Sequence, residues 1–353
     1  MSEILRANLL SPIALAFGLG VIAKLIQSDF KVPKDLYNAL AIYLLLALGL
    51  KGGVELSHSS IAEIARPALA TIALGCITPL SAYFALRKLG GFDASNAAGI
   101  AAHYGSVSAV TFIAAQQFVA GRGLVVEGFM PTLLTLLESP GIHIALALGA
   151  VQRFRTTQPA IATIPIGVTN AGDVMLGAPL DDVVPHVPPG SLKKVLHEVL
   201  TGQTMILLVG GLMVGYLMGD TGWKSVSPFF DTGFKGALTL FLLEMGMVAG
   251  SRLGDLKQMG PFLLAFAILT PIVHGVLGVV LGNIAGLSVG GATILGTMSA
   301  SASYIAAPPA VRVTLPDANP TFSLTAALAV TFPFNLLIGI PLYFRVALAV
   351  AGG

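Results

Sequence analysis

Two stretches of this 353-residue chain, 192 positions apart, repeat one pattern: Ser108-Ala109-Val110-Thr111-Phe112-Ile113-Ala114-Ala115 and Ala300-Ser301-Ala302-Ser303-Tyr304-Ile305-Ala306-Ala307. Each is a hydroxyl-rich interruption of an apolar segment of membrane length. The same offset lays Ile77-Thr78-Pro79 on Leu269-Thr270-Pro271. At an offset of 197, Leu48-Gly49-Leu50-Lys51-Gly52-Gly53 falls on Met245-Gly246-Met247-Val248-Ala249-Gly250. A chain patterned in this way is expected to be duplicated, with a five-residue length difference lying between the matched blocks.

A bilayer is the expected setting. Hydrophobic residues make up 55% of the chain and charged ones 10%, with a mean hydropathy of +0.86, outside the balance of soluble domains. Runs of about 20 apolar residues are long enough to cross as helices. Ten such spans are expected: Leu9–Ile26, Leu36–Leu56, Pro67–Leu86, Asn96–Ala120 and Met130–Phe154, then Leu192–Met218, Pro228–Gly250, Pro261–Asn283, Val289–Val311 and Phe322–Val350. The fold class is therefore an all-α membrane protein of ten transmembrane helices. Its first repeat is 1–154, a cytoplasmic linker follows at 155–191, and the second repeat is 192–353. Glu3 and Arg6 run straight into the first span without a small-residue cleavage site, so no cleavable signal peptide is expected. The single Cys76, in the third span, reads as packing.

Ten spans place both termini on one side. Seven Lys and Arg residues fall there: Arg6, Lys51, Arg66, Arg122, Lys224, Lys235 and Arg345. The other side carries the remaining twelve, including Lys193 and Lys194 near the linker, so the termini are expected outside and the linker in the cytoplasm of a bacterial inner membrane. Five spans per repeat is an odd number, so the second repeat must run in the opposite sense to the first. Inverted repeats of this kind recur in secondary transporters, with the solute held at mid-membrane where the halves meet.

The fourth and ninth spans carry the chemistry. His103-Tyr104-Gly105-Ser106-Val107-Ser108 and Thr111 interrupt one; Thr297, Ser299, Ser301, Ser303 and Tyr304 interrupt the other, with Pro308-Pro309 behind. Consecutive prolines remove backbone donors and push the preceding residue out of helical geometry. Unwound backbone in a bilayer is tolerated where it is buried in protein or lines a polar cavity. Two breaks meeting at mid-depth would bring two half-helix N-termini together, each with free amides and a partial positive charge, an anion site without arginine. The competing reading is that small residues and serines serve close helix packing.

Ionisable residues inside spans are functional candidates. Glu138, ahead of Ser139-Pro140, is placed to hold a cation beside a kink, or else to satisfy that kink. Glu244 reads as a cation or proton ligand, or as a partner for Lys51. His103, His143 and His274 lack metal-ligand spacing and read as satisfied buried histidines. Arg312 reads as an anchor at the membrane surface. No base stands in sequence to make Ser106 or Ser108 a hydrolase nucleophile, because His103 is too near in the chain.

These motifs, with Met245-Gly246-Met247, Ser251-Arg252, Pro271-Ile272-Val273-His274-Gly275, Pro308-Pro309-Ala310-Val311-Arg312 and Pro316-Asp317-Ala318-Asn319-Pro320, resemble the sodium-dependent bicarbonate transporter family of SbtA type over essentially the whole chain. The resemblance implies crossed broken helices in a core domain of spans 3–5 and 8–10, and a gate domain of spans 1, 2, 6 and 7. It also implies homotrimers, sodium-driven bicarbonate import and a PII-like regulator at the cytoplasmic face. Gly105, Ser106, Ser108, Thr111, Ser299, Ser301, Ser303 and Tyr304 become candidate solute contacts; Ser108, Thr111, Glu138, Ser301 and Ser303 become candidate sodium ligands. The resembled proteins have an aspartate where this chain has Tyr304, and a denser serine run where it has Ala300 and Ala302, which implies a divergent branch. The expected function is symport of bicarbonate or a similar small anion. The alternative is a transporter-like sensor or scaffold that binds a soluble regulator through its linker.

Overall fold

The computed structural model describes residues 2–157 and 201–352. Most of the linker expected at 155–191, the start of the sixth expected span and Lys193 and Lys194 lie outside the described residues. Among the described residues every element is helical. Six helical runs are long and apolar enough to cross a membrane, seven if Glu3–Leu9 and Pro12–Leu25, bent by 59°, form one span.

The helices are α1 (Ser2–Leu9), α2 (Pro12–Leu25), α3 (Lys34–Ser57), α4 (Ile61–Lys88), α5 (Ala94–Tyr104), α6 (Ala109–Ala120) and α7 (Met130–Thr157). After the linker come α8 (Gln203–Ser227), α9 (Phe234–Arg252), α10 (Leu256–Ile284), α11 (Val289–Ser299) and α12 (Ala307–Thr314). The last, α13, spans Pro320–Ala351. Local sequence sets many of these bounds. Ser11 caps α2 ahead of Pro12, a Ser60–Glu63 capping box starts α4, and Asp93 starts α5. Within the long apolar run Met205–Ile284, Gly219 (φ 55°) in α8 and Gly260 (φ 70°) in α10 adopt left-handed backbone that breaks the helices sharply.

Helix crossings explain the repeated glycine block. α3 packs on α8 and α2 packs on α9. A Cβ added to Gly49 would sit 2.9 Å from Gly211 Cα, and one on Gly53 would sit 2.9 Å from Gly215 Cα. In the matched block, Gly246 faces Phe17 and Val21 of α2, while Gly20 of α2 faces Leu243 and Met247. Both copies are small-residue crossings, where absent side chains let backbones touch. Exchanging the halves of the chain turns the α3–α8 pair into the α9–α2 pair. It likewise turns the packing of α4 on α7 into that of α10 on α13.

α4 also packs on α5, α10 packs on α11, and α6 lies beside α11. α13 carries two π-helical stretches, Ala326–Thr331 and Asn335–Gly339. Side chains from elsewhere satisfy carbonyls near them: Asn8 Nδ2 of α1 donates to Leu336 O at 2.7 Å and Leu337 O at 3.1 Å. Thr331 donates to Ala267 O at 2.7 Å and accepts from Tyr104 at 2.6 Å.

Candidate functional site

The two hydroxyl-rich interruptions are real breaks in helix, and they meet. α5 ends at Tyr104 with Gly105 as its cap; α6 begins behind Ser108, whose backbone is extended and whose Oγ accepts from Thr111 N at 3.2 Å. α11 ends at Ser299, and α12 begins at Ala307. Ser303 N donates to His103 O at 2.7 Å, and Ser108 N donates to Ser301 Oγ at 2.9 Å. Backbone groups freed by unwinding one half are thus satisfied by the other, which answers the requirement for buried backbone at membrane depth.

Between these breaks and the helices α3 and α9 lies a cavity of about 20 Å³. Ser108, Ala109, Val110, Glu138, Ser303 and Tyr304 line one side; Ala41, Leu44, Leu45 and Phe241 line the other. Tyr37 stacks on Phe241 with ring centroids 4.9 Å apart. Two polar atoms of the lining are buried without a hydrogen-bond partner among the described residues, Glu138 Oε2 and Tyr304 Oη. Glu138 as a whole is 3% exposed.

The half-helix N-termini are unequal, which corrects the expectation that each offers free amides. On α6, Thr111 N is taken by Ser108 Oγ, but Ala109 N and Val110 N, both at the cavity, make no hydrogen bond to a described residue. On α12, Ala306 N and Ala307 N are taken by Ser303 Oγ at 3.3 and 3.4 Å, and Pro308 and Pro309 have no N–H. The first turn of α12 therefore has no free donor, and on this break the amides without a hydrogen bond to a described residue are Tyr304 N and Ile305 N, which lie ahead of the helix and also at the cavity. The serine that caps the second half-helix, Ser303, stands 195 positions after Ser108, so the capping roles match three residues out of step with the lettered motifs.

The remaining candidates divide by what they touch. Ser301 Oγ donates to Met298 O at 2.7 Å while accepting from Ser108, so it joins the two breaks rather than facing the cavity. Ser299 bonds back to Leu295 O at 2.9 Å against Gly278. Gly105 is pressed on Pro79 and Gly141, where a side chain has no room. Ser106 is buried with its hydroxyl unpaired, and Thr111 is buried; neither lines the cavity. Of the ionisable residues, Lys51 pairs with Asp231 at 2.8 Å and not with Glu244, whose Oε2 is without a hydrogen-bond partner. His274 Nε2 lies 2.7 Å from Ser81 Oγ, a satisfied histidine between α4 and α10. Arg312 is exposed on α12, away from the cavity.

Sequence reasoning missed Asn335, whose Nδ2 donates to Ala300 O at 2.8 Å and so satisfies the second break, and whose Oδ1 lies 3.0 Å from the Tyr343 hydroxyl. Its signal was an amide inside an apolar span. The wall formed by Ala41, Leu44, Leu45 and Phe241 had no signal, because its residues are indistinguishable from core.

A wider opening of about 500 Å³ lies beyond the cavity, lined by Lys51, Glu55, Gln116, Gln117, Glu127 and Lys235 among others. Val110, Ile113 and Gln117 share one face of α6, so that face runs from the cavity past buried Ile113 to the opening. At a separate opening of about 600 Å³, lined by Gln117, Phe118 and Arg122 among others, Arg122 stacks 3.4 Å from the Phe118 centroid and donates to Phe118 O at 2.9 Å; partial burial there lowers its pKa.

A family model described as the Na+-dependent bicarbonate transporter superfamily matches residues 12–348. No curated protein matches the chain.

Proposed function

This chain belongs to the Na+-dependent bicarbonate transporter superfamily, and on that premise we propose that it imports bicarbonate, or a similar small anion, together with sodium by alternating access. The observation that carries this reading is the cavity shared by both breaks, where the free Ala109 and Val110 amides of α6 face Glu138, Ser303 and Tyr304.

The anion sits on the α6 N-terminus, where two amide donors and the helix dipole favour negative charge. Glu138, with Ser108, supplies oxygen ligands of the kind a hard cation takes, while Ser303, whose lone pairs cap α12, holds the second break behind them. Anion and carboxylate together bring two negative charges into a mostly apolar cavity, which is costly unless a cation shares it. That cost is the physical basis of coupling: sodium makes anion entry favourable. Thr111 and Ser301 act behind these ligands, through the caps and the link between the breaks.

Ten crossings in two inverted repeats fit the helices. The run Met205–Ile284 contains most of α8 and all of α9 and α10, and α11 with α12 makes a broken span like α5 with α6. The exchange of packing pairs between halves supports the inversion. In this reading α2, α3, α8 and α9 form the gate and the remaining helices the core. A cavity of about 20 Å³ has room for little more than a water molecule, so binding an anion of four heavy atoms requires the apolar gate wall to move from the core. The termini lie outside in a bacterial inner membrane. The trimer and the PII-like regulator belong to the same proposal, and the sensor alternative rests on the linker alone.

The test is uptake of labelled bicarbonate into proteoliposomes with and without an inward sodium gradient. Sodium-stimulated uptake is expected. Uptake indifferent to sodium would remove the coupling, and no uptake by folded protein would remove the function.

A further inference from the structure

We propose that Glu138 selects the transported anion by the anion's own proton: the Glu138 carboxylate accepts a hydrogen bond from the hydroxyl of bicarbonate, so the site favours an oxyanion that carries an O–H and rejects flat anions that lack one. This rests on the bicarbonate reading above and adds to it the residue that sets specificity.

The argument follows from which polar groups at the cavity have partners and which do not. Ser108 and Ser303 have committed oxygen lone pairs to the amides they cap, and each keeps an O–H to give. Ala109 N and Val110 N are donors without partners, and the buried Tyr304 hydroxyl lies beside that of Ser108 without a well-formed hydrogen bond. All of these can donate to an anion. In the same lining stands the Glu138 carboxylate, buried and without a hydrogen bond on Oε2, which when ionised only accepts. An anion with nothing but acceptors satisfies the donors and leaves its own lone pairs against a carboxylate. Bicarbonate is a planar oxyanion with one donor, so it completes both sets at once. A site built to bond a substrate hydroxyl discriminates strongly against an isostere without it, because the partner is then left buried and unpaired.

Sodium fits the same scheme, since it offsets the like charges of Glu138 and the anion without supplying the missing proton. Tyr304 fits as well. Where the resembled proteins carry an acceptor, this chain has a donor on the anion side, which leaves Glu138 as the acidic group at the cavity.

The experiment measures sodium-driven uptake of labelled bicarbonate by the full chain in proteoliposomes, with unlabelled nitrate as the isosteric competitor. The wild type is expected to keep its uptake under about a hundredfold excess of nitrate. Glu138→Gln replaces an acceptor oxygen by an N–H donor; it is expected to raise the bicarbonate KM at least ~10-fold and to let nitrate compete. Glu138→Asp, which keeps an acceptor, is expected to go on rejecting nitrate. Melting-temperature shifts of the detergent-solubilised proteins with bicarbonate or nitrate alone read the same preference without transport and show that each variant is folded. Wild-type uptake halved by equimolar nitrate, or unchanged discrimination in Glu138→Gln, overturns the proposal and leaves the bicarbonate reading standing. Absence of both sodium-stimulated uptake and a bicarbonate shift in the wild type overturns both.

Discussion

The Ser108 amide donates to Ser301 Oγ at 2.9 Å, and this bond joins two breaks that lie 193 residues apart in the chain. Ser301 completes the link by donating to Met298 O at 2.7 Å. One hydroxyl therefore answers for the Ser108 N–H, which unwinding leaves without a helical partner, and adds to the bond that Met298 O already takes from Ser301 N at 3.1 Å.

Ser301→Ala leaves the Ser108 amide buried and unpaired, a cost of about 1–3 kcal/mol. Its melting temperature in detergent is expected to fall clearly. Ser299→Ala removes only a bond back to Leu295 O in the same helix and is expected to change it little. Equal effects would show that the two serines have the same packing role.

Ser108→Ala and Ser303→Ala each uncap a half-helix at the cavity, at about 0.5–2 kcal/mol. Both variants are expected to insert and to transport less. Ser108→Thr retains a capping hydroxyl and is expected to restore most of the uptake. Normal uptake by both alanine variants would leave these hydroxyls with packing alone.

Glu138→Gln removes the carboxylate that offsets a cation in the cavity. The sodium concentration for half-maximal bicarbonate uptake is expected to rise several-fold. An unchanged sodium dependence would take Glu138 out of the cation site.

Gly53→Leu and Gly246→Leu force a side chain into backbones already in contact, where overpacking costs about 1–3 kcal/mol or more. Both are expected to lose folded protein on size-exclusion chromatography. Gly236→Ala, at a position with open space around it, is expected to behave as wild type.

Lys51 and Asp231 form an ion pair with side chains 53% and 54% exposed, so solvent screens it. Lys51→Ala is expected to shift stability by no more than ~1 kcal/mol. A large loss would mean that Lys51 has a buried partner such as Glu244.

Much of the fold was legible because its signals are local. Hydrophobic length marked the membrane segments, the paired hydroxyl blocks marked both breaks, and the paired glycine block at Gly49 and Gly246 proved to be one type of crossing used twice. The site was legible only in part. Ser108, Ser303, Tyr304 and Glu138 do share a cavity, whereas Ser299 and Gly105 pack, and Ser301 spends its hydroxyl on the link between breaks. The Pro308-Pro309 pair marks the second break in sequence, and together with Ser303 it leaves the first turn of that half-helix without free donors.

By itself the sequence determined that this chain is a helical membrane protein with two interrupted helices, because apolar length, glycine and proline act on the backbone where they stand. The tertiary structure alone decided which hydroxyls remain free, which amides face the cavity and which apolar residues close it. Those outcomes depend on partners nearly two hundred positions away, and a hydroxyl reads the same in sequence whether its lone pairs are spent or open.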